Sequence, residues 1–259
     1  MCSIYISTFG KPVIRIKDGI PIEVGAASRK NFIYNLHDDM GDNISSENEY
    51  YGEMTGLYWI WKNVTIEDDD IIGFCHYNKA LAISNKKAND FLRRNGSAII
   101  TVSPIKIRNH PLKDEVKAVT FLLEKFYPEY HVVWDKLYDG EAAGRYEVCR
   151  GSNMFITTGK VFKSYCAWIF PLLKELRKLL GDKSESDANM RRYCAFMSER
   201  LLSVYIEANQ LLAWGVEVRY KKWWLFYVRW ITRKFRVNRK SKIYIFLKKR
   251  FGYNSQYGR

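Results

Sequence analysis

No run of eighteen apolar residues occurs in this chain of 259 residues, so no segment is read as a helix that crosses a bilayer. The opening Met1-Cys2-Ser3-Ile4-Tyr5-Ile6 has neither a basic leader nor a long apolar core; no secretory signal is expected, and the chain enters a strand at once. Cysteine is sparse. Cys2, Cys75, Cys149, Cys166 and Cys194 are odd in number, and no two have zinc-finger or thioredoxin spacing. That pattern predicts reduced thiols, acting as small buried hydrophobes, in a cytoplasmic protein. Repeats and low-complexity tracts are also lacking. The most informative absence is of acid: from Arg219 to Arg259 there is no Asp or Glu.

The same forty-one residues hold 14 Lys and Arg, which leaves 28 basic against 28 acidic residues in 1–218. The whole formal charge of +14 therefore belongs to a tail on a neutral body. The tail is aromatic as well, with Trp223, Trp224, Phe226, Tyr227, Trp230, Phe235, Tyr244, Phe246 and Phe251. A polar basic arm would suit nucleic acid. One this rich in rings is read as one or two amphipathic helices in the plane of an anionic membrane surface. Trp223, Trp224 and Trp230 would then sit at headgroup level while Arg233, Lys234 and Arg236 face the lipid charge. Nucleic acid is not expected as a partner, and a peripheral position on the inner face of the cell membrane is.

The body, residues 1–218, reads as one α/β domain with a mixed, partly parallel central sheet. Strands are expected at Ile4–Ser7, Pro12–Ile16, Ile20–Gly25, Ile71–Tyr77, Ala98–Val102, Ser152–Thr157 and Val216–Tyr220. A capping box at Ser46 and Glu49 predicts a helix whose buried stripe is Tyr50, Met54, Leu57, Tyr58 and Trp61. Gly52 and Gly56 lie on another face of it and point to a close backbone approach. Further helices are expected over Pro111–Phe126, with Val116, Val119, Leu122, Leu123 and Phe126 inward, over Lys160–Leu180 with a kink or break at Pro171, and over Asn189–Gln210. Ligands of such sheets bind at the carboxyl ends of strands.

Asp68-Asp69-Asp70 invites comparison with the acid pairs that hold a metal and a donor diphosphate in many sugar transferases. It precedes its strand, however, and so falls at the amino edge, where it is read as a solvated turn. No metal site and no tightly bound cofactor is expected; manganese or magnesium is left open. The carboxyl end of the same strand carries His76-Tyr77-Asn78-Lys79.

Several stretches occur in a telling order: Gly41-Asp42-Asn43-Ile44-Ser45, then Glu53-Met54-Thr55-Gly56-Leu57-Tyr58-Trp59-Ile60-Trp61-Lys62-Asn63, then Ile72-Gly73-Phe74-Cys75-His76-Tyr77. His110-Pro111-Leu112-Lys113-Asp114, Asn153-Met154-Phe155-Ile156 and Phe196-Met197-Ser198-Glu199-Arg200-Leu201 follow. From about Ile20 to Tyr205 the chain resembles a bacterial family, long labelled as of unknown function, found among capsular and exopolysaccharide synthesis proteins. Some of its members are similar to galactofuranosyltransferases. The resemblance implies a GT-A-like fold and transfer of a sugar from a nucleoside-diphosphate donor, UDP-galactofuranose among them, to a lipid-linked glycan, with other polysaccharide assembly proteins as further partners.

On that reading Lys79 and the pair Arg191/Arg192 are candidates to stabilise the departing diphosphate. Glu199, with Arg200 beside it, and Asp114 are candidates for the base that deprotonates the acceptor. Asn43, Lys62, His76, Tyr77, Asn153 and Arg200 are placed on the donor, and His110 on the acceptor. Two departures stand out: relatives usually carry two arginines where this chain has Asn78 and Lys79, and their early strand usually ends in Thr-His-Lys where this one ends in Ser7-Thr8-Phe9-Gly10. They motivate a second reading, an inactive relative that serves as a membrane-bound partner in polysaccharide assembly; a nucleic-acid-binding protein, suggested by the basic tail, is the third.

Overall fold

A computed structural model describes residues 2–107, 113–138, 147–150, 152–182 and 191–221. The tail residues from 222 on, and with them Trp223, Trp224, Trp230, Arg233, Lys234 and Arg236, lie outside these, as does His110.

Three parallel strands make the first half of the sheet. They are β1 (Cys2–Thr8), β2 (Gly19–Glu23) and β3 (Ile71–His76), with β1 in the middle. Their register sets Ser7 beside His76 and Thr8 beside Glu23, so the three carboxyl ends share one edge. On the far side of β3 runs antiparallel β8 (Phe155–Thr158), then β5 (Ala98–Val102) and β9 (Leu212–Val216). A tight turn at Tyr77-Asn78 sends β3 into the short β4 (Lys79–Leu81), which pairs with β10 (Val218–Tyr220). β9 and β10 stand at opposite ends of the path β10-β4-β3-β8-β5-β9, yet Glu217 alone separates them. The sheet therefore curls until its ends lie a residue apart. A separate ribbon pairs β6 (Ile105–Ile107) with β7 (Glu147–Cys149).

Successive strand residues point to opposite faces, and both faces are covered. Tyr5, Ile72, Phe74 and Ile99 join one core. Over it lie α1 (Asn48–Tyr51), α2 (Met54–Asn63), α4 (Lys113–Phe126), α5 (Pro128–Tyr138), α6 (Gly159–Leu180) and α7 (Tyr193–Ala208). Ile4, Ile6, Ile71, Cys75 and Ile100 join the other, covered by α3 (Asn85–Arg94) and by Val13, Ile14 and Ile16. Pro12–Ile16 is thus extended chain packed on the sheet rather than a strand in it. Cys75, Cys166 and Cys194 are buried free thiols and Cys2 is a half-buried one.

Two helix expectations are corrected. The helix expected from Ser46 onward is in fact a single 3-10 turn (Ser45–Glu47), then α1, then a break at Gly52 and a new start at Met54. No side chain caps the first turn. Gly52 has φ 54°, which favours glycine, and a Cβ there would lie 2.6 Å from Arg192 Nη2. The close approach expected at Gly56 is present: a Cβ would meet Val24 Cγ1 at 2.6 Å. Gly56→Ala is therefore expected to destabilise by about 1–3 kcal/mol through overpacking, read as a shift in the urea midpoint at constant slope. Of the kink or break expected at Pro171, the break is absent: α6 continues through it. Ile169, Phe170, Leu172 and Leu173 are all buried around it, and their packing outweighs the lost backbone bond. In α4, Phe126 is exposed rather than inward.

Candidate active site at the strand ends

β1 is followed by β2 on one side and, later, by β3 on the other. The chain changes direction at the carboxyl ends of β1 and β3, and ligands of open α/β sheets bind at such a point. Four segments send polar groups to it. Glu53 precedes the first turn of α2, His76 ends β3, Asn153 precedes β8, and Arg192 with Ser198 comes from the start of α7.

These groups meet on Glu53. Asn153 Nδ2 donates to its Oε1 at 2.9 Å, and Arg192 Nη2 donates to its Oε2 at 2.9 Å. His76 Nε2 stands 3.9 Å from Oε1, beyond hydrogen-bonding range. Ser198 Oγ donates to Asn153 Oδ1 at 3.0 Å, and Asn153 also reaches the Ala195 carbonyl. The Glu53 side chain is 8% exposed, whereas Arg192 is 43% exposed, so one end of the ion pair is sealed and the other faces water.

Burial alone would raise the Glu53 carboxyl. Arg192 beside it and the Asn153 hydrogen bond bring it below the usual carboxylate range, and His76 adds to this only where it is protonated. Burial pushes the His76 imidazole down to about 3, with Lys79 adding to the shift and Glu53 opposing it. His76 is accordingly neutral, and its Nε2 is buried with no hydrogen-bond partner. A buried polar atom without a partner costs free energy and marks a place where a ligand group would be welcome.

At the neighbouring end of β2, Glu23 is fully buried. It accepts from the backbone N–H of Gly10 and of Ile33, each at 2.9 Å, and from Arg29 Nη2 at 2.7 Å. Burial would raise this carboxyl as well, but the Arg29 bond and the two backbone donors hold it low. The clamp fixes the chain just past β1 and leaves Phe9 48% exposed there, with the Arg29 guanidinium 4.6 Å from its ring centre.

The structure thus gathers His76, Asn153 and Arg192, and sets Lys79 directly across from His76 in the β3–β4 pair. Tyr77 occupies the turn between them, its ring under Lys11. Glu199 and Arg200 follow Ser198 on α7; Arg200 is buried and bonds to the Phe196 carbonyl, while Glu199 is half-buried. Arg191 turns away to pair with Glu49. Asp114 is exposed in the first turn of α4. Asn43 spends its side chain inside its own loop, on Asp39, Gly41 and Ser45. Lys62 lies over Trp61 near Asp42, nine residues along α2 from Glu53 and so roughly 13 Å away. Neither Asn43 nor Lys62 joins the Glu53 group.

Sequence reasoning missed Glu53, Ser198, Phe9 and Arg29. Glu53 and Ser198 stood within the stretches that carried the resemblance. A carboxylate just ahead of a helix, next to a glycine, was the available signal for Glu53.

Asp68–Asp70 lies at the amino edge of β3, where Asp68 pairs with Lys163 at 2.7 Å and Asp70 accepts from the Glu67 N–H. Among the described residues no three His, Cys, Asp or Glu side chains gather as a metal-binding group. The variant Asp68→Asn/Asp69→Asn/Asp70→Asn is expected to keep donor binding and turnover, since exposed pairs contribute little to stability; loss of a manganese-dependent activity in that folded variant would overturn the placement.

A cleft of about 560 Å³ lies elsewhere, between the 3-10 turn with α1 and the end of α6, lined by Tyr51, Tyr58, Phe170 and Arg177 among others. Arg177 there is already held by Glu47 and Asp182. Orphaned groups and converging charges favour the strand ends instead.

The folded body has the architecture of a GT-A-like glycosyltransferase module. Over 85% of the whole chain, the protein matches the apo structure of a protein described as the bifunctional glycosyltransferase WbbM, with a TM-score of 0.68 and 25% identity; the match spans 45% of that longer chain. The chain belongs to the family described as a domain of unknown function, DUF4422, which it matches over residues 4–210. Among curated proteins none matches it. No helix among the described residues is long and apolar enough to cross a membrane.

Proposed function

We propose that this chain transfers a glycosyl group from a nucleoside-diphosphate sugar to a hydroxyl of a lipid-linked glycan. The observation that carries the reading is the convergence of His76, Asn153 and Arg192 on the buried Glu53, at the point where the sheet changes direction. Phe9, backed by Arg29, offers a ring for the nucleobase. The half-exposed Arg192 and Lys79 supply cations for the diphosphate, which takes the bonding electron pair as the anomeric C–O bond breaks. His76 Nε2 meets a sugar hydroxyl. The acceptor oxygen bonds to the anomeric carbon and gives its proton to a carboxylate, for which Glu199 is the first choice and Asp114 the second.

On this reading residues 1–218 are the catalytic body, and 219–259 hold it to the inner face of the membrane, where a lipid-linked acceptor would be. The test is a thermal-shift screen with nucleotide sugars, UDP-galactofuranose included, with and without manganese. A rise in midpoint with at least one UDP-sugar is expected; no response to any nucleotide sugar or to UDP itself would reject the proposal. Asn78 and Lys79, standing where relatives usually have two arginines, support a second reading in which the donor binds and no transfer follows. Single-turnover assay of the donor that binds separates the two.

A further inference from the structure

β10 runs alongside β4 with Tyr220 opposite Lys79, and the Lys221 N–H donates to the Asn78 carbonyl at 2.8 Å. The chain therefore passes into residue 222 at the rim of the candidate site, beside the turn that follows His76. A basic face surrounds this exit. Lys221 Nζ donates to the Pro12 carbonyl at 2.6 Å and Arg219 Nη2 to the Arg15 carbonyl at 2.8 Å, tying β10 to the extended 11–17 segment. The Ile14 N–H bonds the Tyr77 carbonyl, which fixes that segment to the same turn.

Lys11, Arg15, Lys17, Arg219 and Lys221 are all exposed on these two segments. Backbone carbonyls hold Arg219 and Lys221 in place without neutralising them. Asp18 and Glu217 are the exposed acids at the ends of the same segments. The excess of cations in the tail thus begins on the folded body. Beyond the exit, residues 222–259 add 12 Lys and Arg, no acid, and Trp223, Trp224 and Trp230.

We propose that this face of the body is itself a docking surface for an anionic lipid leaflet, so that the strand-end site opens beside the membrane. Charge complementarity and the aromatic, acid-free sequence continuing from the same spot select lipid as the occupant. A body held by the tail alone would be tethered without a fixed orientation. Contacts on two further segments would set the orientation and keep the Tyr77-Asn78 turn at the headgroup level. The inference rests on the membrane reading of the tail and not on the transfer reaction.

The test is co-sedimentation of the full chain with phosphatidylcholine vesicles that contain phosphatidylglycerol, at low salt. Three proteins are compared: the parent, Lys11→Glu/Arg15→Glu/Lys17→Glu, and a control of equal charge change on α4 and α5, Lys117→Glu/Lys125→Glu/Lys136→Glu. The 11–17 variant is expected to partition at least roughly tenfold less than the control, given the contribution of each basic residue near an anionic surface. Its melting midpoint is expected to match the parent's. Lys11→Gln/Arg15→Gln/Lys17→Gln is expected to show a smaller loss in the same direction, and carries the test should the reversed variant fold poorly. Equal losses in variant and control, or parent-like binding by both 11–17 variants, would overturn the proposal while leaving the tail anchor standing. A parent that ignores anionic vesicles and binds RNA in a salt-sensitive way would overturn both. Absence of a nucleotide-sugar response with vesicle binding intact would count against the transfer reaction alone.

Discussion

Glu53→Gln is expected to cost both stability and donor binding, whereas Arg192→Ala is expected to cost donor binding only. Glutamine preserves the shape and can still accept from Asn153, but it removes the charge that holds Arg192 and sets an amide where a carboxylate accepted. With the carboxylate almost fully buried, the mispaired site is expected to lower stability by about 1–3 kcal/mol. Arg192 is nearly half exposed, so its loss leaves Glu53 with Asn153 and with access to water through the vacated space. Thermal melts of both variants with and without a UDP-sugar check this. A Glu53→Gln protein as stable as the parent, or an Arg192→Ala protein with full donor response, would contradict the arrangement.

The same cluster sets an acid limit. His76 binds its proton at about 3 in the folded protein and near 6.5 when unfolded. Between those values the unfolded chain takes up the proton and the folded one does not, so stability is full above about 6.5 and falls as the pH drops towards 3. Glu53 acts in the same direction lower down: its stabilising contribution is present above its ordinary value of 4.5 and is lost as the pH falls through its depressed folded value. Denaturant midpoints measured from pH 7 to pH 4 are expected to decline, and His76→Gln is expected to flatten the decline between 6.5 and 4.5.

The largest effect on turnover is expected from the acceptor base. Glu199→Gln keeps the shape of the side chain and removes its basicity. Turnover should fall by roughly 10²–10⁴-fold, with donor affinity little changed. Glu199 follows Ser198, whose hydroxyl bonds Asn153, so its helix already lies against the Glu53 cluster. Asp114 is exposed at the start of α4, and Asp114→Asn is expected to be close to the parent. A dead Asp114→Asn beside an active Glu199→Gln would exchange the roles. Two active variants would exclude both as the base.

The elements that the sequence determined unaided are those whose cause is local or compositional. Period-2 and continuous apolar runs marked β1, β2, β3 and β5 to within a residue or two, because a strand covered on both faces must be apolar throughout. Helical periodicity marked the buried face of α4 except at Phe126. The order of the acid run and its strand put Asp68–Asp70 at the amino edge. The separation of charge between residues 1–218 and 219–259 is a matter of counting. Where local rules compete, the sequence was less legible. Gly52 reads as a costly helix residue, yet it ends one helix and starts another; Pro171 reads as a kink or break, and packing carries α6 past it.

Only the tertiary structure decided what meets at the strand ends. Asn153 is 100 residues from Glu53 and Arg192 is 139. Periodicity tells which face of an element turns inward but not which element it will face. Glu53 therefore read as one more charge at a helix start, and Asn43 and Lys62, polar and next to a striking helix, looked equally eligible for the donor. Burial separates them. A carboxylate sealed from water must find partners or lose its charge, and Glu53 finds Asn153 and Arg192. Asn43 and Lys62, nearer the surface, are satisfied within their own loop and helix, and nothing draws them to the site.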